Sequence, residues 1–449
     1  MATAEFRYLI TNLWQPTYTI TGATRTSTTV VYQAVNSFAV GDYVSVSGVT
    51  PSQFNVTDEV VSSRTSTSFT IVKTIAAGTY SSGGLAYKDN TVIAELPFTN
   101  VNFTSQLNSI GAFQGHILLS GINTYDYNVQ DATIPGKTIL WIMYTDPQSH
   151  VSRPVWSGVI WAREYDSAAQ TLSVSAQEMM SLYTRRRIHN TLTYATFTDP
   201  AVIAKAFMQY AEALTPHGKT GLTYNNGTTT YSTKIEYKDY ELKPVYQAVK
   251  DLASRFFDFK IQPVWNPTTG ALYNQFQIGV GTPYSATSSD SSVFQFPGNL
   301  VEYKWPQDAT SSANRLYGIG YGDNSSQLKA TAIDPALIGT SGTWPLLEDT
   351  ASYTDIPDAQ LLQDLTLGQL NATSYPPTVV EIVIPPYVDP YYNTYEIGDT
   401  VRVDIKDDFF PVGFSEILRI VAISVNPGEN GPSRITLTLS RQLADGQVS

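Results

Sequence analysis

The chain has 449 residues, 39 acidic and 27 basic, and its net charge of −12 argues against wrapping nucleic acid, because phosphate binding requires lysine and arginine. Its composition, 42% hydrophobic and 15% charged, is globular, and its length provides core for about two to four domains. The absence of cysteine excludes disulfide, thiol and iron–sulfur chemistry. No apolar run reaches roughly 18 residues and no secretory signal is recognisable, so we expect a soluble protein made in a cytoplasm, with no membrane span.

Short β-strands are the predominant predicted element. The 29 tyrosines and the repeated Gly, Pro, Asn and Asp residues favour strands and turns over helices. Apolar and polar residues alternate, as in strands with one buried face, in segments 6–10, 29–35, 43–46 and 400–405.

An inserted domain is predicted near the N-terminus. Residues 17–88 are poor in charge, rich in Thr, Ser, Val and Gly, and contain five possible strands. The flanking segments 7–13 and 90–96 would pair as a hairpin if this stretch were removed. We therefore predict a small β-barrel-like domain at 14–89, inserted into a hairpin loop of a first β domain that comprises 1–13 and 90–181.

Three segments have helical periodicity. The first begins at Asp199, a good N-cap, with Pro200 at the first helical position, and Gly218 is its predicted stop. The other two lie at about 244–257 and 357–370, and all three are expected to pack on sheets. We predict an α+β middle domain at 182–299 and a second β domain, with one helix, at 300–449.

Two parts of the chain have strand segments in a similar order and spacing. They are 136–142, 159–161 and 171–177 in the first part, and 398–404, 421–423 and 436–442 in the second. Either a duplication or the general likeness of antiparallel sheets with glycine turns accounts for this match. A duplication would give two similar barrels or sandwiches in one chain.

The sequence contains no motif that assembles a catalytic, cofactor or metal site. Gly136-Lys137-Thr138 is like the end of a phosphate-binding loop, but Asp131 occupies the required glycine position and a strand follows. The four histidines have no metal-ligand spacing, and no Gly-x-Ser-x-Gly elbow supports a serine nucleophile. A carboxylate pair on distant strands is left open. We predict a protein that is not an enzyme and that binds no cofactor or metal.

One basic run, Arg185, Arg186 and Arg187, follows a short helix predicted at 177–183. Cations at a helix C-terminus complement its dipole. The alternative is that the run docks to an acidic neighbour or to a phosphate backbone.

Several segments carry a family resemblance. They are 91–98, 101–108, 111–117, 155–161, 172–178 and 395–401. At these segments the chain resembles baseplate or tail hub (minor tail) proteins of long-tailed siphophages that infect actinobacteria. Residues 38–44 of the insertion resemble a β module that recurs in phage tail proteins.

The resemblance implies a structural virion protein at the distal tail tip, assembled in the host cytoplasm. It implies a homotrimer whose two tube-like domains per chain give pseudo-sixfold symmetry, adapting the hexameric tube to a threefold tip around the channel. The implied partners are a distal tail protein or tail-tube ring, the tape-measure protein and other tail-tip proteins, with DNA only as passing cargo. An acidic channel wall would keep DNA from sticking.

The expected fold class is therefore mainly β with α+β parts: two tube-like β-barrel or sandwich domains, a helix-containing middle domain and a small inserted β domain. The predicted interface residues are Phe113, Trp156, Trp161, Arg185, Arg186, Arg187 and Phe410. Core packing is the alternative fate of these aromatic side chains. The alternative function is a carbohydrate-binding or cell-wall-degrading tail-tip protein, with the insertion as the sugar reader.

Overall fold

The computed structural model is mainly β, which confirms the predicted fold class. It describes residues 5–14, 16–88, 92–120, 129–225, 227–266, 271–281, 292–354, 356–374, 380–392, 394–428 and 433–441.

The secondary-structure elements are numbered in chain order. The strands are β1 (Glu5–Asn12), β2 (Thr17–Thr19), β3 (Gly22–Arg25), β4 (Thr29–Gln33), β5 (Tyr43–Ser47), β6 (Val56–Arg64), β7 (Ser68–Val72), β8 (Leu85–Lys88), β9 (Val92–Glu95), β10 (Thr99–Gln106), β11 (Ala112–Leu118), β12 (Thr138–Thr145), β13 (Ser152–Asp166), β14 (Thr171–Glu178), β15 (Leu192–Thr198), β16 (Thr223–Tyr224), β17 (Thr233–Tyr237), β18 (Phe259–Trp265), β19 (Leu272–Ile278), β20 (Val293–Phe296), β21 (Glu302–Lys304), β22 (Arg315–Ile319), β23 (Lys329–Ile333), β24 (Glu348–Ser352), β25 (Val380–Ile384), β26 (Thr400–Ile405), β27 (Phe414–Asn426) and β28 (Arg434–Arg441). The helices are α1 (Val129–Ala132), α2 (Met180–Tyr183), α3 (Pro200–Glu212), α4 (Val245–Phe256), α5 (Pro335–Ile338) and α6 (Ala359–Thr373). Single 3-10 turns lie at Ser52–Phe54, Asp239–Glu241 and Asn324–Ser326.

The largest sheet contains thirteen strands among the described residues, in the order β21-β25-β28-β27-β10-β11-β14-β13-β12-β1-β9, with β26 and β20 continuing from β27. β1 and β9 pair antiparallel with Ile10 opposite Ala94, as expected for the split hairpin. The inward side chains of this sheet form one apolar core, in which Phe103, Trp156 and Leu437 are buried. Burial of this face fixes the register, because a slip by one residue would turn each inward side chain outward.

The segment between β1 and β9 forms a separate sheet. Its described strands have the order β2-β8-β5-β6-β7-β4-β3, so seven strands replace the five expected from the sequence. Strands such as β2 and β3 are too short, at 3 and 4 residues, for alternation to be recognisable. This sheet encloses its own core around Tyr32, Phe38 and Phe69.

The three predicted helices are confirmed as α3, α4 and α6. The Asp199 side chain accepts a hydrogen bond from the backbone N–H of Ala201, and α3 ends at Glu212 rather than near Gly218. Pro216 disfavours helical backbone at the residue before it, which explains the early end. α3 and α4 share the core of the middle part of the chain, and α6 packs on β22 and β23.

The short helix predicted at 177–183 is confined to α2, because Gln177 and Glu178 belong to β14. Within the described part of the chain, no helix combines the length and apolar character needed to cross a membrane.

Candidate assembly site at the junction of two repeats

Two glycines hold the same backbone position in two parts of the large sheet. The N–H of Gly136 donates to the carbonyl of Ile160 over 2.7 Å, and the N–H of Gly398 donates to that of Ile420 over 2.8 Å. Both glycines have positive φ, 72° and 93°. Gly136 thus serves as a turn before β12, which agrees with the rejection of a phosphate-binding loop at this position.

In each repeat the strand pairing shifts register directly after the residue that accepts the hydrogen bond from the glycine. The shift lies between Ile160 and Ala162 in the pairing of β13 with β14, and between Ile420 and Ala422 in the pairing of β27 with β28. Such bulges bend a strand and fix its local twist. The repeated pattern in the sequence therefore corresponds to a repeated backbone arrangement.

The strand order around the two bulges is also the same. The first repeat has the order β10-β11-β14-β13-β12, and the second has β21-β25-β28-β27-β26. All of these neighbours are antiparallel. When the bulges are superposed, the pair Asn102 and Gln114 of the first repeat corresponds to Lys304 and Glu381 of the second.

β10 joins the two repeats into one continuous sheet. One edge of this strand pairs with β11, and its other edge pairs with β27, with Phe103 opposite Val425 and Ser105 opposite Ile423. The N–H of Leu107 extends the contact by donating to the carbonyl of Val421 over 2.9 Å. The end of β27 that extends beyond β26 is thus covered by a strand of the other repeat.

A cavity of about 120 Å³ lies at this junction, lined by residues from β10, β13, β18 and β27. At its rim Lys260 and Glu396 form an ion pair over 2.6 Å. Trp156 donates from its indole N–H to the carbonyl of Thr104 over 3.0 Å. These groups hold the lining elements against one another, which is a positioning role.

Glu178 is a half-buried carboxyl group in the wall of this cavity. It accepts hydrogen bonds from the Ser105 hydroxyl over 2.5 Å and from the N–H of Gly111 over 2.7 Å. Burial raises the pKa of Glu178 to about 7, although both hydrogen bonds act to lower it. The carboxyl group thereby connects the end of β14 to the turn between β10 and β11.

A buried ion pair connects the second repeat to the middle part of the chain. Arg419 on β27 donates to Asp258 over 2.6 Å, and its other N–H groups donate to the carbonyls of Gly398 and Val280. Asn108 donates to the second oxygen of Asp258 over 2.6 Å. Burial raises the pKa of Asp258, while the charge of Arg419 and the two hydrogen bonds act against that rise.

Sequence reasoning did not find this ion pair. Arg419 lies between Leu418 and Ile420 in an apolar strand, and this charged residue at a core position was the one available signal. Asp258 is 161 positions away and carries no such signal.

Two of the predicted interface aromatics belong to the core. Phe113 and Trp156 are each 1% exposed, with ring centroids 5.9 Å apart. Both side chains lie in the core of this subunit rather than on its surface, so the alternative of core packing applies to both. Phe410 is half-buried and packs on Trp305 at 5.0 Å and on Phe414 at 5.2 Å.

The three arginines of the basic run lie in different environments. Arg186 forms an ion pair with Glu212 of α3 over 2.9 Å, so its acidic neighbour lies within the same chain. Arg185 lies 4.6 Å above the ring of Trp161, whose indole N–H donates to Ser181 over 2.7 Å. The Arg185 and Arg187 side chains are exposed, and Trp161 is half-buried.

The fold is shared with solved tail proteins. The chain is similar to the tail protein from Neisseria meningitidis MC58 with a TM-score of 0.52 and 12% identity, covering 80% of this chain and 95% of that one. It is similar to the 43 kDa tail protein of prophage MuSo2 from Shewanella oneidensis with a TM-score of 0.51 and 11% identity, covering 79% and 95%. No protein family and no curated protein matches the sequence.

These comparisons show which fold the chain shares. The chain has the fold of a tail protein and of a prophage tail protein, which agrees with the fold expected from the sequence resemblance. The more particular assignment, to a hub of actinobacterial siphophages, is a proposal.

Proposed function

We propose that this chain is the structural subunit of a phage tail hub, a homotrimer at the distal end of the tail tube. The observation that carries the proposal is the pair of repeats, with matching glycines, bulges and strand order, side by side in one sheet. Three copies would present six nearly equivalent units to a hexameric tube ring and keep threefold symmetry toward the tip.

The proposed domains follow the predicted boundaries. Residues 1–13 and 90–181 form the first tube-like domain, 14–89 the insertion, 182–299 the middle domain and 300–449 the second tube-like domain. Separate apolar clusters in the insertion and in the middle part support these two units.

The proposed location is the virion of a long-tailed phage of actinobacteria, after assembly in the host cytoplasm. A distal tail protein or tube ring would bind one face, other tail-tip proteins the opposite face, and the tape-measure protein the channel. The net charge of −12 suits a channel through which DNA passes without binding. The role is structural rather than enzymatic.

The proposal is tested by native mass spectrometry of the purified chain, followed by negative-stain imaging. We expect a mass of three chains and threefold rings with a central hole. A single-chain mass over a wide range of concentrations would contradict the hub. Peptidoglycan release that one carboxylate substitution abolishes would instead support the cell-wall-degrading alternative.

A further inference from the structure

The two repeats differ in how the end of their long central strand is covered. In the second repeat, β10 pairs with Ala422–Val425, the part of β27 beyond the bulge. In the first repeat the equivalent segment is 162–165 of β13. β12 pairs with β13 only as far as Val159, and no strand in the described ranges pairs with that edge of 162–165.

The exposed fractions of the side chains differ between the covered segment of β27 and the uncovered segment of β13. Val425 is 1% exposed and Ile423 is 6% exposed beneath β10. Tyr165, which takes the place of Val425, is 52% exposed, and Glu164 is also exposed. An uncovered strand edge has free N–H and C=O groups and is a site for pairing with another chain.

A second uncovered edge lies at one end of the sheet. β21 is the last strand of the order given above, and within the described residues it pairs only with β25. Its equivalent in the first repeat is β10, which pairs with strands on both sides. Within the described residues, the first repeat thus has a strand edge with no strand beside it, at 162–165, and the second repeat has an outer strand, β21, with no partner on one side.

We propose that the end of β21 and the residues after it, 304–308 of one copy, pair antiparallel with 162–166 of β13 in a second copy of the chain. This inference rests on the proposed trimer and specifies its subunit contact. The contact would repeat between subunits what β10 and β27 form within one subunit. Because it joins different surfaces, three copies related by a threefold axis close a ring and leave neither edge uncovered.

The pairing of β10 with β27 within one chain also predicts the register of the contact between two copies. Phe103 lies opposite Val425, and the superposed bulges therefore place Trp305 opposite Tyr165 of the second copy. Lys304, an exposed residue, then lies opposite the exposed Asp166. Opposite charges in directly facing positions stabilise a strand pair.

Proline at position 306 is compatible with this register. Its equivalent in β10 is Thr104. Along a strand, the N–H groups of successive residues point alternately toward the two neighbouring strands. Since the N–H of Leu107 faces β27, the N–H of Thr104 faces β11 instead. The missing N–H of Pro306 would therefore point away from the second copy.

The chain has no cysteine, so disulfide cross-linking can test the register directly. Glu164 and Pro306 are both exposed and would face each other as a non-hydrogen-bonded pair, whose Cα separation of about 4.5 Å suits a disulfide. The test variant carries Glu164→Cys and Pro306→Cys and is oxidised under native conditions. We expect covalent dimers and trimers on a non-reducing denaturing gel.

Two control variants make the result specific. Thr104→Cys with Ser424→Cys places the same geometry within one chain, where the two residues are already opposite, and should give an internal disulfide. Pro306→Cys with Ile93→Cys places the second cysteine on β9, where residue 93 is 45% exposed, and should give no ladder.

The outcomes separate the two proposals. A native trimer in which the Glu164→Cys, Pro306→Cys variant does not cross-link, while the internal control does, would overturn the strand pairing and leave the hub intact. A ladder equally strong in the Ile93→Cys control would also overturn it. A chain that does not form trimers would overturn both.

Discussion

Arg419 and Asp258 form a buried ion pair, 2.6 Å between a guanidinium nitrogen and a carboxylate oxygen, with side chains only 7% and 5% exposed. The pair connects a strand of the second repeat to the second residue after the end of α4. Asn108, which follows β10, donates to the same carboxylate. Three parts of the chain are therefore positioned by one carboxyl group.

Replacing Arg419 with methionine should lower the free energy of unfolding by about 3–5 kcal/mol, because the change leaves the Asp258 carboxylate buried without its partner. Urea denaturation followed by circular dichroism measures this loss. The matched control is Arg441→Met, which breaks an exposed pair with Glu416 and should cost less than about 1 kcal/mol. Equal losses in the two variants would contradict a structural role for the buried pair. Adding Asp258→Leu to Arg419→Met should restore part of the stability.

Glu178→Gln should flatten the pH dependence of stability between about pH 5 and pH 8. The folded-state pKa of about 7 lies above the ordinary 4.5, so Glu178 favours the folded state below its ordinary pKa and loses that contribution as pH rises through 7. The full effect is on the order of 3 kcal/mol. Thermal melts of the variant and the parent chain, compared across this range, give the difference.

The control for this titration is Glu95→Gln. A hydrogen bond from Arg7 lowers the pKa of Glu95, so its contribution is present above the ordinary pKa and is lost as pH falls. The parent chain should therefore lose its advantage over this variant in acid rather than in base. A Glu178→Gln variant with the same pH profile as the parent would contradict the assignment.

Removal of residues 17–88 should leave the rest of the chain folded. Thr17 lies opposite Tyr87 in the pairing of β2 with β8, so the two ends of the insertion are close enough to be joined by an Asn-Gly turn. The insertion contacts the middle part through Asp58, to which Asn266 donates over 3.2 Å, and through the Tyr87 ring, whose centroid lies 5.3 Å from the Lys219 ammonium. We expect a cooperative melt with a loss of about 1–2 kcal/mol, because both contacts are removed, and circular dichroism measures it. Asp58→Asn in the full chain is the control for the lost contact, and an unfolded deletion variant would contradict an autonomous insertion.

Alanine at the two equivalent glycines should have unequal effects. Gly136→Ala introduces strain from positive φ, and its Cβ would lie 3.8 Å from the Trp161 ring, so a loss of about 1–2 kcal/mol is expected. Gly398→Ala adds the same strain, and its Cβ would lie 2.8 Å from the carbonyl oxygen of Val280, so about 2–5 kcal/mol is expected. Chemical denaturation of both variants measures the difference. Losses of equal size would show that the Val280 backbone can move away.

Much of the fold follows from local patterns in the sequence. Alternation predicts β1 and β26, and the pairing of β1 with β9 around the insertion follows from the two flanking strand patterns. Asp199 and Pro200 define the beginning of α3, because a cap is a contact between near neighbours in the chain. The repeat is recognisable because a glycine turn before a strand recurs at similar spacing.

The tertiary structure alone decided which of these segments meet. The same aromatic side chain can fill a core or an interface, and only the packing placed Phe113 and Trp156 inside. Likewise, only the joined sheet brought Arg419 to Asp258. Periodicity along a chain determines which face of a strand is apolar, whereas contacts between distant residues depend on how the strands pair, and that pairing is set by burial of the whole sheet.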